Sequence, residues 1–238
     1  MKIDAKIFLD LDDPGSAAEM LALLKAVGYG AACVEVSAPS EARKVRRLND
    51  SLPIALFTRK TITANNRTHL FQELKKFWGA VDYISVFSRD VHALETALRD
   101  SRVSALASSV RDLTLKVTPG IASLAKQGKK LFEISFGQVL AQEGIKRTKI
   151  IRKIAKNVSL LGTNRILLAL CSEASDPTEI LAPMHLVSIA REFFKIPLHK
   201  ARKALTVNVL DVLNENKMKK SPAHVMEGVR VIKPPHRK

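Results

Sequence analysis

Cysteine is scarce, with only Cys33 and Cys171 in 238 residues. Each sits in an apolar, strand-like run, which argues against a disulfide-built scaffold and suits buried thiols in a reducing compartment. Aromatic residues make up 5% of the chain. No run interleaves exposed rings with Lys and Arg, so a platform that stacks single-stranded bases is not expected. Long apolar runs are missing too: stretches such as ILLALC from Ile166 fall far below the roughly 20 residues of a membrane span. The opening MKIDAKIFLD lacks the basic-then-apolar order of a signal peptide, and a cytoplasmic protein is expected.

Motifs for chemistry are equally thin. The six histidines stand at 69, 92, 185, 199, 224 and 236. None forms His-x-His, His-x-x-x-His or a pair with cysteine at ligand spacing, which leaves little basis for a zinc site. There is no Gly-x-Ser-x-Gly, and no Gly-rich loop follows the first strand-like run, which disfavours a serine hydrolase and a dinucleotide fold.

What the chain has in abundance is positive charge, a net +16. Residues 1–40 carry three basic against six acidic residues, 41–100 eleven against seven, 101–170 thirteen against three, and 171–238 twelve against seven. The excess belongs to the second half. It points to a polyanionic partner, nucleic acid before membrane, since no amphipathic segment pairs the charge with a wide apolar face.

Short β-branched apolar runs alternate with segments of helical period, the pattern of repeated βα units. Strands are predicted near 5–11, 30–36, 53–58, 82–87, 103–107, 113–117, 130–136 and 165–171. Helices are predicted near 16–27, 39–50, 66–78, 90–99, 119–127, 145–161, 183–194 and 197–204. Ser16 and Glu19 have capping-box spacing, and Thr118-Pro119 places a capping oxygen ahead of a proline at the first helical position. Glycines 28, 79, 128 and 162 stand where helices should end. Eight strands suffice for a TIM-barrel-like (β/α) barrel over residues 1–216. Residues 217–238, polar, basic and proline-marked, read as a C-terminal tail that is flexible alone and orders on a partner, with a short strand at VRVI.

The strongest local constellation is GIKRTKIIRKIAKNVSLLG from Gly144. Ile150, Ile151, Ile154, Val158 and Leu161 share one helical face, while Lys146, Lys149, Arg152, Lys153 and Lys156 take the opposite one. A solvated face is the usual fate of such charges, but five cations without an acid repel one another until something anionic binds. His199, Lys200, Arg202 and Lys203 form a second set on a short helix, and Arg111, Lys116 and the pair Lys129-Lys130 add charge between. Contacts to phosphates of folded RNA suit these residues better than base stacking.

FLDLDDPG, residues 8–15, presents three carboxylates, Asp10, Asp12 and Asp13, in a basic protein. At a strand end Asp10 and Asp12 would share a face and could grip a divalent ion. Phosphoesterase barrels of the polymerase-and-histidinol-phosphatase type hold metal there with a His-x-His pair, which is absent here. Helix capping is the simpler reading, and an edge that docks a basic partner segment is a third. Asp176 and Glu179 after the last strand carry the same choice between helix start and catalysis.

The runs KKLFEISFGQVL (129–140), KRTKIIRKIAKN (146–157), RILLALCSEASDPTEILAP (165–183) and IPLHKARKALTVNVLDVL (196–213) together resemble the ribonuclease P protein component 3 family, the archaeal counterpart of a nuclear ribonuclease P and MRP subunit. The most specific piece is Lys200-Ala201-Arg202-Lys203-Ala204-Leu205-Thr206-Val207-Asn208. The resemblance implies a barrel related to the polymerase-and-histidinol-phosphatase fold but lacking its metal site. It implies a subunit with no catalytic residue, metal or cofactor of its own, since the ribonuclease P RNA performs the Mg2+-dependent removal of the 5′ leader from precursor tRNA. The implied partners are that RNA, the component 2 subunit and the other ribonuclease P proteins. Lys200 matches the family's basic residue in the late helix. Some relatives place Arg-Pro where this chain has Gly137-Gln138, and the tail after Lys217 exceeds the shorter members.

Overall fold

The structure, a computed structural model, describes residues 1–48, 54–110, 113–162 and 166–221, and the backbone of 224–226 and 229–230. Seven parallel strands, β1 (Ile3–Ile7), β2 (Ala31–Glu35), β3 (Ala55–Ala64), β4 (Tyr83–Ser88), β5 (Ala105–Ala107), β8 (Leu131–Ser135) and β9 (Leu167–Cys171), hydrogen-bond in that order. The ends of the sheet meet beyond β9: Glu173 N donates to Lys6 O (2.9 Å) and Phe8 N to Ala174 O (2.8 Å). The result is a nearly closed barrel of the TIM type. Helices α1 (Pro14–Ala26), α2 (Pro39–Leu48), α3 (Arg67–Phe77), α4 (Val91–Arg99), α5 (Pro119–Gln127), α7 (Gly144–Leu161) and α8 (Pro183–Phe194) surround it. Their apolar stripes bury against the outer face of the sheet, as right-handed βα crossovers require. None of the described helices is long and apolar enough to cross a membrane.

Eight predicted strands become seven barrel strands, and the physical reason lies in the connection. Only five residues separate β5 from Leu113, whereas a parallel neighbour needs a crossover of a dozen or more. The chain instead forms a small antiparallel pair outside the barrel, β6 (Ser109–Val110) with β7 (Leu113–Thr114). Leu115 and Val117 then bury on a strap held by Asn157, whose Nδ2 donates to Leu115 O (2.6 Å) and whose Oδ1 accepts from Val117 N (3.3 Å).

The sequence pattern also missed α10 (Val207–Lys219), which follows α9 (Leu198–Ala204). Val209, Val212 and Leu213 enter the barrel interior beside Ile3, Ala31, Cys33, Leu131 and Cys171. Asn208 donates to Leu168 O (2.8 Å), and Asn216 to Asp82 O (2.9 Å) and Ser104 Oγ (2.8 Å). These partners lie at or just before the strand starts, so α10 plugs the amino-terminal end of the barrel. It runs through the 216/217 position to Lys219, where Lys219 Nζ reaches Ser101 O at 3.1 Å. Beyond it β10 (His224–Met226) pairs antiparallel with β11 (Val229–Arg230); residues 231 and 232 of the expected VRVI strand lie outside the described residues. Both cysteines are fully buried, and burial pushes their thiols up.

Candidate nucleic-acid interface

The basic helix forms where the sequence places it. Gly162, at φ +73°, ends α7 in a conformation costly for a residue with a Cβ. Ile150, Ile154, Asn157, Val158 and Leu161 are buried, with Ile151 half-buried, against the strap, α5 and α8. Lys146, Lys149, Arg152, Lys153 and Lys156 are all exposed. Arg147 is not part of this strip: its Nε and Nη2 turn back to Gln142 O (2.5 Å) and Leu140 O (3.2 Å), tying the short helix α6 (Gly137–Leu140) to α7.

Lys116, also exposed, lies on the strap that Asn157 holds against α7, so it joins the same face. Lys200, Arg202 and Lys203 are on α9, which α8 separates from α7. Arg202 and Lys203 are exposed; Lys200 is half-buried, lining with Lys203, Asn208 and Asp211 a groove of about 220 Å³ between β9 and α10. Arg111 lies outside the described residues. The remaining nine cations make no ion pair among the described residues. They form a field in two parts, available to an external polyanion. Gly137 packs tightly on the turn after β9: an added Cβ would stand 3.0 Å from Glu173 Cβ and from Glu173 O, so a side chain there would require Glu173 to shift.

The acidic residues are engaged in other work. Strand β1 ends at Ile7, so Asp10 and Asp12 do not alternate on a strand. Asp10 Oδ1 accepts from Asp12 N (3.0 Å) and Asp13 N (3.2 Å), and Asp12 pairs with Lys44 at 2.6 Å. Asp13, not Ser16, caps α1, accepting from Gly15 N (2.9 Å) and Ser16 N (3.2 Å). The expected capping box fails because Pro14 at the first helical position starts the helix two residues early. Asp176 accepts from Thr178 N and Oγ1 at the 3-10 turn Pro177–Glu179, and these bonds hold its carboxyl below the usual range. Glu179 accepts from Ser175 N (2.8 Å) and Oγ (2.9 Å). Among the described residues no three His, Cys, Asp or Glu side chains gather to hold a metal ion.

Sequence reasoning overlooked a buried ionic lattice in the barrel. Arg59, fully buried, donates through Nε to Glu35 (2.9 Å), through Nη1 and Nη2 to Glu133 (2.8 and 3.0 Å), and through Nη2 to Thr61 Oγ1 (2.8 Å) and Ser85 Oγ (2.7 Å). Burial opposes its charge, but Glu133 and Glu35 hold its pKa well above the ordinary value. Lys6 pairs with Glu173, which also accepts from Ser135 Oγ. The group lies toward the carboxyl ends of the strands, where barrels of this type place active sites. Its charged members bond to one another, which makes it a filling of the barrel. The signal was present in the sequence: a charged residue inside a strand-like run, as in FTRKT, AKIFL and LFEIS.

No family model matches the chain. Among curated proteins, the Ribonuclease P protein component 3 of Methanosarcina mazei is 21% identical over 221 residues, covering 93% of this chain and 91% of that relative. Its counterpart in Methanosarcina acetivorans is 21% identical over 193 residues, 78% of this chain and 80% of the relative. A chain in a cryo-EM structure of archaeal ribonuclease P with mature tRNA superposes with a TM-score of 0.79 at 16% identity, covering 99% of this chain and 100% of that one. An A. niger ochratoxinase (TM-score 0.62, 10% identity, 89% and 71% covered) and a putative prolidase from Bifidobacterium longum (0.59, 8%, 90% and 69%) share the barrel. At such identities the structural likenesses speak for the fold alone.

Proposed function

We propose, from the chain's kinship with ribonuclease P protein component 3, that it is a non-catalytic protein subunit of ribonuclease P. In this reading it binds the catalytic RNA through phosphates and supports removal of the 5′ leader from precursor tRNA in the cytoplasm. The RNA supplies the Mg2+-dependent chemistry; this chain supplies charge on a rigid barrel. Lys146, Lys149, Arg152, Lys153, Lys156 and Lys116 form one contact face, and Lys200, Arg202 and Lys203 a second. Screening phosphates there lets RNA helices approach one another, which is how a protein without a reactive group raises the rate of an RNA enzyme. The component 2 subunit docks elsewhere on the barrel.

The observation that carries this reading is α7, an 18-residue helix with five exposed, unpaired cations and no acid, in a chain similar to its relative over 93% of its length. Reconstituted cleavage of precursor tRNA, run with and without this chain, tests it. Stimulation is expected, and Lys149→Glu with Lys153→Glu is expected to weaken assembly on the RNA while leaving thermal unfolding unchanged. The Asp10→Ala, Asp12→Ala double variant should stimulate as the native chain does. Hydrolysis by the chain without RNA, abolished by that double change, would overturn the proposal in favour of a metal-dependent phosphoesterase.

A further inference from the structure

A second cationic groove stands on another sector of the barrel, formed by elements whose charges are diluted along the sequence. Helices α2 and α3 both pack on β3. The groove beside them, open and about 400 Å³, is lined by Pro39, Arg43, Arg46, Lys75, Lys76 and the Gly79-Ala80 turn. Four cations line it and no acid does. Their carbon stems extend outward because Ala42 and Val45 of α2, and Leu74 and Phe77 of α3, take the buried positions.

Part of this charge has a local use. Arg46 and Lys75-Lys76 occupy the last turns of their helices, where cations complement the carbonyl ends. Arg46 Nη2 donates to Ala80 O (2.8 Å) and lies 3.5 Å from Asp82, and Lys76 stands 3.9 Å from Glu73. Arg43 and Lys75 have no such partner among the described residues. Gly79 leaves the floor open, since an added Cβ would meet nothing within 4 Å.

The topology separates this groove from α7. In the strand order, β3 is divided from the β8 and β9 pair by β4 and β5 in one direction and by β2 and β1 in the other. The sector on the β1–β2 side belongs to residues 1–40, whose six acids outnumber three basic residues. One straight stretch of RNA lying on α7 therefore cannot also fill the groove.

We propose that the α2–α3 groove binds the phosphodiester backbone of a second RNA segment, so that the barrel bridges two parts of one RNA. Four cations and no acid fit a polyanion, and an open trough between two helices fits a phosphate backbone rather than a single small anion. This inference rests on the proposed function, and the test separates the two.

Because Cys33 and Cys171 are fully buried, one new surface cysteine can be labelled selectively. Lys75→Cys and Lys149→Cys, each in the full chain and each carrying tethered iron–EDTA, are bound to a transcribed archaeal ribonuclease P RNA. Both should cleave it by hydroxyl radicals, in segments distant from each other in the RNA sequence and secondary structure. Cleavage from position 149 alone overturns the groove inference and assigns the trough to an acidic protein surface or to solvent. Cleavage by both probes in one segment overturns the bridging, and silence from both overturns the proposed function itself. In parallel, Arg43→Glu with Lys75→Glu should lower the salt dependence of binding by about 1.5 in log–log slope, the loss of two phosphate contacts at roughly 0.7–0.9 each. An unchanged slope overturns the inference.

Discussion

Arg59 is the most demanding residue in the barrel. A guanidinium with no exposure is tolerable only because two carboxylates, two hydroxyls and the Ala5 carbonyl accept its donors. Arg59→Met would leave Glu133 and Glu35 without their countercharge, and removing one partner of a buried pair costs about 3–5 kcal/mol. Urea unfolding should show a loss of that size, and a loss under about 1 kcal/mol would reject the lattice as an anchor. Asp4 makes a different prediction. Burial raises its pKa to about 6 from 3.8, although Ser172 and the Lys6 N–H donate to it. The folded state therefore holds the proton more tightly than the unfolded chain, which stabilises it at low pH and is lost as pH rises through about 6. Compared with Asp4→Asn, the native chain should lose on the order of 3 kcal/mol from about pH 4 to about pH 7. A pH-independent difference would refute it. A charge inside an apolar run marks such a residue in the sequence, but it does not reveal which partner from a distant strand will meet it.

At the scale of elements, legibility followed local chemistry. The predicted spans 119–127 and 183–194 are those observed, because Thr118 Oγ1 accepts from Ile121 N (3.3 Å) and Pro119 and Pro183 fix the starts. The 113–117 strand failed because alternation records burial on one side, which a strap over a helix satisfies as well as a sheet does. Helix α10 was hidden for the opposite reason. Two of its buried positions, Asn208 and Asn216, are polar, and they break the apolar period while bonding the strand starts. Its docking should be measurable. Leu213→Ala is expected to cost about 2–5 kcal/mol, and Asn216→Ala, which removes the donor to Asp82 O and Ser104 Oγ, about 1–3. The two lie one turn apart on one helix, so the double variant should fall short of the sum in denaturant unfolding. Full additivity would mean that α10 does not dock as a unit.

For the whole molecule, charge was the most legible property and its geometry the least. The excess over residues 101–170 marked α7 directly, since a helix displays neighbouring charges on its own surface. The α2–α3 groove was not visible, because its cations lie some thirty residues apart in a region of mixed sign. Barrel closure converts such separated residues into a surface, and no window along the sequence can register that. The core of the barrel is filled and α10 plugs its amino-terminal end, so RNA affinity should respond to surface charge and salt rather than to rearrangement of the protein. Neutralising about six phosphates predicts a log–log salt slope of roughly −4 to −5. Reversing Lys149 and Lys153 should make that slope shallower by about 1.5 and should reduce affinity most at low salt, where counterion release contributes most. Filter binding over a KCl series measures both quantities. An affinity indifferent to salt would remove phosphate contact as the basis of binding, whatever the identity of the RNA.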